Sequence, residues 1–426
     1  MKARTLQEVM RIFDPSRPLD GTELKRWYID RPKNPSQEIR IYLQGIGLQD
    51  RPVHVLFTGH DGSGKSTELN RLALDLKNQF LGVRLSPRVP DLTYVDLLLY
   101  IATSLFQRVT KPDALGKAPA DTVKGILTDI SQFIEKVFYG AASFRAADRQ
   151  PELSVKVSLL ALELQTQLTN EPRTREQIRQ RLEPHLEELA GRINQVVELV
   201  RARCGRSTLL LVECPDNLDQ SQASDIFVKH GPSLAHLHIS AIYTFPIRLR
   251  DSRGFLSIID RFRYFMLPNL NVTTHSNSPD SLDLLSKAIT LRMKEGLITD
   301  SACCRIAKAS GGLMRTLIRL VQAAAVEAIV AGHESIAEED VLAAEKKERA
   351  AFIPNLRQED YQTLRRCHTE KRLLSADDAV LDLLYRRALL EYPNDEPWCD
   401  VNPVLLPTVL ERTSDKELTR YGSLSR

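Results

Sequence analysis

The chain has 426 residues, 42% hydrophobic and 27% charged, enough to bury a sizeable core and more than one ordinary domain needs, so two or three domains are expected. It holds no uninterrupted apolar run of ~18 residues, and its opening MKARTLQEVMRIFDP lacks the apolar core of a secretory signal, which argues against a membrane partner and makes a cytoplasmic protein the expectation. A net charge of +3 is too small to single out a nucleic-acid partner, and six cysteines without CxxC spacing argue against a zinc site or a disulfide framework.

In chain order, an apolar run at Val53 to Phe57 predicts a first strand, followed by GHDGSGKST and a helix carrying Leu69, Leu72, Leu74 and Leu76. A second strand is expected at Leu81 to Leu85 and a third at Thr208 to Val212, the latter a continuous apolar run suited to a parallel sheet buried on both faces. The long stretch between them, about 110–205, reads as an insertion. It has helical periodicity at Val123, Ile126, Leu127, Ile130, Phe133, Ile134 and Val137, and again at Leu182, Leu186, Leu189, Ile193, Val196 and Val200. Between these, LSVKVSLLALEL alternates like a strand at Leu153, Val155 and Val157 but fits a helix equally well. Strands four and five are expected at His238 to Thr244 and Tyr264 to Leu267, with His236 and His238 in the same strand pattern and structural rather than metal-binding. After Asn271 a polar, turn-rich stretch marks a boundary, and Ser281 to Ala350 read as consecutive helices. The tail adds helices at Gln358 to Cys367 and, capped by Ser375, at Ala376 to Arg387, then a hairpin in ALLEYPNDEPWCDV, the order of a winged helix.

Gly59-His60-Asp61-Gly62-Ser63-Gly64-Lys65-Ser66 fits the phosphate-binding pattern GxxxxGK[ST] in full, with Thr67 following, and lies between a strand and a helix as that pattern requires. Backbone N–H groups and the helix dipole would face the β-phosphate, Lys65 would reach the β/γ oxygens and Ser66 would ligate Mg²⁺, so ATP with Mg²⁺ is the expected cofactor. An acidic group should end a neighbouring strand, and TLLLVECPDNLD places Glu213 there, with a second role at the metal. Cys214 follows it where a carboxylate would be expected. Either Asp216 supplies that group from the turn, or hydrolysis is slow.

From about residue 20 to 345 this order of features resembles the AAA+ superfamily, in particular the clade of replication initiators and STAND signalling ATPases, and the string GSGKSTELNRLA resembles uncharacterised bacterial P-loop ATPases. The resemblance implies an arginine near the adenine, for which Arg31 fits; a polar sensor at the end of the fourth strand, Thr244; an arginine finger before the fifth strand, for which Arg261 and Arg263 both fit; and a lid arginine after Gly-Gly, Arg315 in SGGLMRTLIRL. The corresponding fold is an α/β P-loop NTPase with a doubly wound parallel sheet, a large helical insertion, a helical lid and a winged-helix-like domain. It divides as 1–50, a segment contributing to the nucleotide site; 51–275, the ATPase core; 276–350, the lid; and 351–426, the tail.

Three functions compete. One is an ATP/ADP switch acting on a partner protein, either an effector or further copies of itself, in a bacterial antiviral defence or DNA-transaction system. The second is a DNA-binding initiator or loader, and the third a small-molecule kinase. The tail from Phe352 carries eleven Lys/Arg against thirteen Asp/Glu, a balance of −2, which opposes nucleic-acid binding there and favours a protein-interaction module.

Overall fold

The computed structural model describes residues 2–47, 51–111, 121–139, 153–170, 172–215, 218–247, 250, 254–272, 279–372, 378–392 and 398–413. These fall into two units, one of residues 36–57 and 72–265, the other of residues 1–35, 58–71 and 266–426.

The first unit is built on a five-stranded α/β sheet ordered β2-β3-β4-β1-β5, with β1 at His54–Thr58, β2 at Phe80–Leu85, β3 at Ser207–Val212, β4 at Ser240–Phe245 and β5 at Arg263–Met266. β2 and β3 run parallel from Phe80↔Ser207 to Leu85↔Val212, and β3 and β4 from Leu209↔Ser240 to Val212↔Tyr243. β1, β3 and β4 are buried almost throughout, as central strands of a parallel sheet must be, whereas β5 is half-exposed. β4 begins two residues later than its sequence pattern suggests. His236 caps the short helix Gly231–Ala235 and His238 lies in the bend that follows, so neither histidine belongs to a strand.

A helix at Tyr94–Val109 leads into the insertion, which folds as helices Asp121–Ile134 (continued by a wider turn at Glu135–Tyr139), Leu153–Asn170, Pro172–Leu182 and Leu186–Cys204. Leu153–Asn170, ambiguous in sequence, is helical because Val157, Leu160, Ala161, Leu164 and Leu168 make one buried stripe, while Val155 turns outward. That stripe joins the apolar side chains of β2 and β3 in a single core, so the insertion shares the interior of the sheet.

The second unit is mainly helical. Pro279–Thr290, Asp300–Ala309, Met314–Ala331 and Glu338–Phe352 enclose a core that also takes in Leu6 and Val9 from the first helix, Leu6–Ile12, and Phe13 just after it. Ala3 pairs its backbone with Arg292 and Lys294, fixing the start of the chain among these helices. The tail forms helices Gln358–Glu370 and Asp378–Tyr385, an antiparallel hairpin of β6 (Leu389–Tyr392) and β7 (Trp398–Val401), and a last helix, Leu406–Arg412, around its own apolar core. The expected cap Ser375 and the hairpin turn at 393–397 lie outside the described residues. No helix among those residues is long and apolar enough to cross a membrane.

Candidate functional site

The expected phosphate loop follows β1 and ends where the helix Lys65–Leu76 begins; of its leucines, Leu69, Leu72 and Leu76 are buried and Leu74 is half-buried. Gly62 and Gly64 hold φ of +83° and +108°, backbone that only glycine takes readily. A side chain there would also collide with a neighbour. A Cβ at Gly62 would stand 2.8 Å from the Cβ of Arg315, and one at Gly64 would stand 3.0 Å from Arg31 Nη2. The loop is therefore shaped so that two arginines can lie directly against its backbone.

Lys65 is buried and its Nζ donates to the carbonyls of Gly59 (3.0 Å) and His60 (3.1 Å), across the mouth of the loop. Ser63 Oγ is buried and has no hydrogen-bond partner among the described residues, an unmet donor in the middle of the loop. Ser66 occupies the first helical turn, while Thr67 Oγ1 accepts from the Leu19 N–H at 3.3 Å. Asn70 Nδ2 donates to the Leu19 carbonyl at 2.8 Å, tying the segment before Arg31 to the same helix.

Arg31 is 9% exposed and donates through Nη1 to the Pro268 carbonyl at 3.4 Å; burial lowers its pKa, opposed by the nearby Glu68 carboxylate. Glu68 accepts from Tyr28 Oη and Asn34 Nδ2, both at 3.0 Å. Burial, reinforced by Glu68, raises the Tyr28 pKa, so the phenol stays protonated and donating. Arg71 covers the Tyr28 ring at 4.7 Å. From sequence neither Tyr28, Asn34 nor Glu68 stands out; their mutual contact depends on segments 34 or more residues apart.

Arg315 lies in the first turn of the helix Met314–Ala331. Its backbone N–H donates to Gly62 O at 3.0 Å and its guanidinium pairs with Asp61. The other Asp61 oxygen faces Arg387 Nη1 at 3.3 Å. The Gly-Gly turn before Arg315 is tightly required: Gly312 has φ +79°, and a Cβ there would fall 1.8 Å from Leu270 O.

The remaining expected residues belong to the other unit. Glu213 follows β3, and its carboxylate is bound by Arg84 of β2 through Nε at 2.8 Å and through Nη2. Thr244, buried at the end of β4, donates through Oγ1 to Cys214 O at 3.2 Å, which places it beside the residue that follows Glu213. Arg261 donates to Ser257 O at 3.2 Å, and Arg263 stacks over the Tyr42 ring at 4.0 Å; both are exposed. Asp216 lies outside the described residues. Arg84 was silent in sequence because a charged residue in an edge-strand pattern reads as solvent-facing.

No protein-family model matches the chain, and no curated protein sequence does. Among solved structures, the chain is similar to the Aeropyrum pernix ORC2 protein (ADPNP-ADP complexes), with 13% identity over 97% of this chain and 98% of that one and a TM-score of 0.45. It is similar to the Thermotoga maritima RuvB Holliday junction branch migration motor at 14% identity over 90% and 95%, TM-score 0.40. The Aeropyrum pernix ORC1 protein in complex with DNA gives 10% identity over 93% and 95%, TM-score 0.40. The geometry of the loop stands independently of these likenesses.

Proposed function

We propose that the chain is a nucleotide switch of the AAA+ or STAND type that binds ATP with Mg²⁺, hydrolyses it slowly and acts on a partner protein. The observation that carries this reading is the convergence of three cations on one glycine loop: Lys65 within it, Arg31 against Gly64 and Arg315 against Gly62. Such a concentration of cations around backbone N–H groups suits a polyphosphate. The buried Ser63 hydroxyl supports the fit, since it has a hydrogen bond to offer a phosphate oxygen. Lys65 would exchange the Gly59 and His60 carbonyls for phosphate oxygens, and Ser66 would hold Mg²⁺, which would neutralise the charge developing on the phosphoryl group.

Slow turnover follows from the engagement of Glu213 by Arg84, which ties up the acid assigned to orienting water. In this reading Thr244 is the polar sensor, Asp216 the alternative acid, and Arg261 or Arg263 the finger supplied to a second copy. The tail, winged-helix-like in its order of helices and hairpin, carries a balance of −2 and is assigned to protein contact rather than DNA. The test is titration of a fluorescent ATP analogue with Mg²⁺ against the wild type and Lys65→Ala. Saturable binding lost in the variant is expected; equal binding by both would refute the site. Phosphate release with and without duplex DNA then separates a switch from a DNA-dependent motor.

A further inference from the structure

The GxxxxGKS pattern leaves its inner positions free, and two of them, His60 and Asp61, reach the C-terminal hairpin. His60 is buried, and its Nε2 accepts from the backbone N–H of Glu391, in β6, at 2.9 Å. The Glu391 carbonyl is held in turn by Asn269 Nδ2 at 2.9 Å. Asp61 presents one carboxylate oxygen to Arg315 and the other to Arg387, which stands at φ +60° just ahead of β6. A hydrogen bond and a shared carboxylate thus join loop and hairpin.

That carboxylate lies next to where a polyphosphate would sit. Phosphate oxygens repel Asp61 and attract both guanidiniums that Asp61 holds, so the two anions compete for the same cations. A ligand that draws Arg387 away from Asp61 acts two residues ahead of β6. Leu313, Leu390, Tyr392 and Trp398 form a separate apolar contact, and Tyr392 Oη bonds Gly311 O at 3.0 Å, so the hairpin would stay attached while its polar link to the loop changed.

We propose that Asp61 is a positioning residue that couples the phosphate site to the C-terminal hairpin: polyphosphate binding transfers Arg315 and Arg387 from Asp61 to phosphate oxygens and loosens Glu391 from His60. This deepens the nucleotide reading above and rests on it. Because linkage is reciprocal, the hairpin contact must weaken nucleotide binding by the same factor by which nucleotide weakens the contact.

The experiment is hydrogen–deuterium exchange of the full chain, read at Leu389–Tyr392, with and without a non-hydrolysable ATP analogue and Mg²⁺. In the wild type the analogue should speed exchange there by about fivefold. Asp61→Asn should speed it without nucleotide, tighten analogue binding by about the same factor and flatten the nucleotide response. Arg387→Gln, at a half-buried surface position, should reproduce the nucleotide-free increase and serves if Asp61→Asn folds poorly. Binding with no change in hairpin exchange, or weaker binding by Asp61→Asn, would overturn the coupling. If neither wild type nor Lys65→Ala binds the analogue, the nucleotide reading fails, and the coupling falls with it.

Discussion

Arg84→Ala should accelerate ATP turnover, and the pairing with Glu213 sets how far. Arg84 and Glu213 side chains are 37% and 18% exposed, so water screens the pair in part. An exposed ion pair contributes ~0.2–1 kcal/mol and a well-formed charged hydrogen bond ~1.5–3 kcal/mol. With one partner more than a third exposed, about 1 kcal/mol is a reasonable cost for freeing the carboxylate, and that converts to about fivefold in rate if the free form is the one that orients water. Phosphate release under saturating ATP should therefore rise about two- to tenfold, while the affinity for nucleotide stays unchanged, since the change acts on the acid that orients water and not on the loop that holds the phosphates. Arg84→Lys should show little of the effect, because an ammonium can keep the single contact. A fall in turnover with Arg84→Ala would refute the reasoning by making Arg84 a contributor rather than a restraint. If Glu213→Gln leaves turnover intact and Asp216→Ala abolishes it, the acid has been misassigned.

Gly312→Ala should lower stability by about 3 kcal/mol in urea denaturation, combining left-handed backbone with overlap onto Leu270 O; a loss under ~1 kcal/mol would mean that the Gly-Gly turn tolerates a side chain. Burial pushes the His54 pKa down to about 4, against the raising effect of the Ala235 and Leu237 carbonyls. The unfolded chain then binds a proton that the folded chain refuses, so stability rises with pH between about 4 and 6.5 by about 3 kcal/mol, and His54→Leu should flatten that part of the pH–stability curve. Mixing a Lys65→Ala chain with an Arg261→Ala/Arg263→Ala chain should restore hydrolysis if the arginines act on a neighbour's γ-phosphate; no rescue, together with a monomer by light scattering with ATP bound, would rule this out.

The legible parts of the fold are those where one local pattern allows one structure. β1, β3 and β4 follow mainly apolar runs, as strands buried on both faces of a parallel sheet do, and the two short apolar runs flanking a turn in the tail became β6 and β7. Leu153–Asn170 was undecidable for the same physical reason: Leu153, Val155 and Val157 alternate, and only packing of Val157 with Leu160, Leu164 and Leu168 chooses the helical period. The first helix could not be placed at all. Its Leu6 and Val9 announce an amphipathic segment, but their partners, such as Leu317 and Val321, lie some three hundred residues away, and short helices carry no address for a distant core.

At the site, the sequence exposes what a phosphate demands of a backbone and hides what charges demand of each other. Gly62, Gly64 and Lys65 are recognisable because no other residues produce that loop, and Arg315 because a Gly-Gly turn starts its helix. Asp61 occupies a position where the pattern accepts any residue, so its two arginine partners could be found only in space. Glu213 illustrates the opposite error of inference. Its place after β3 is as expected, yet Arg84 on the neighbouring strand holds its carboxylate, and a residue's position in a motif does not say whether its charge is available. Availability is fixed by the cross-strand register that brings Arg84 opposite Leu211, two residues before Glu213, and register is a property of the folded sheet.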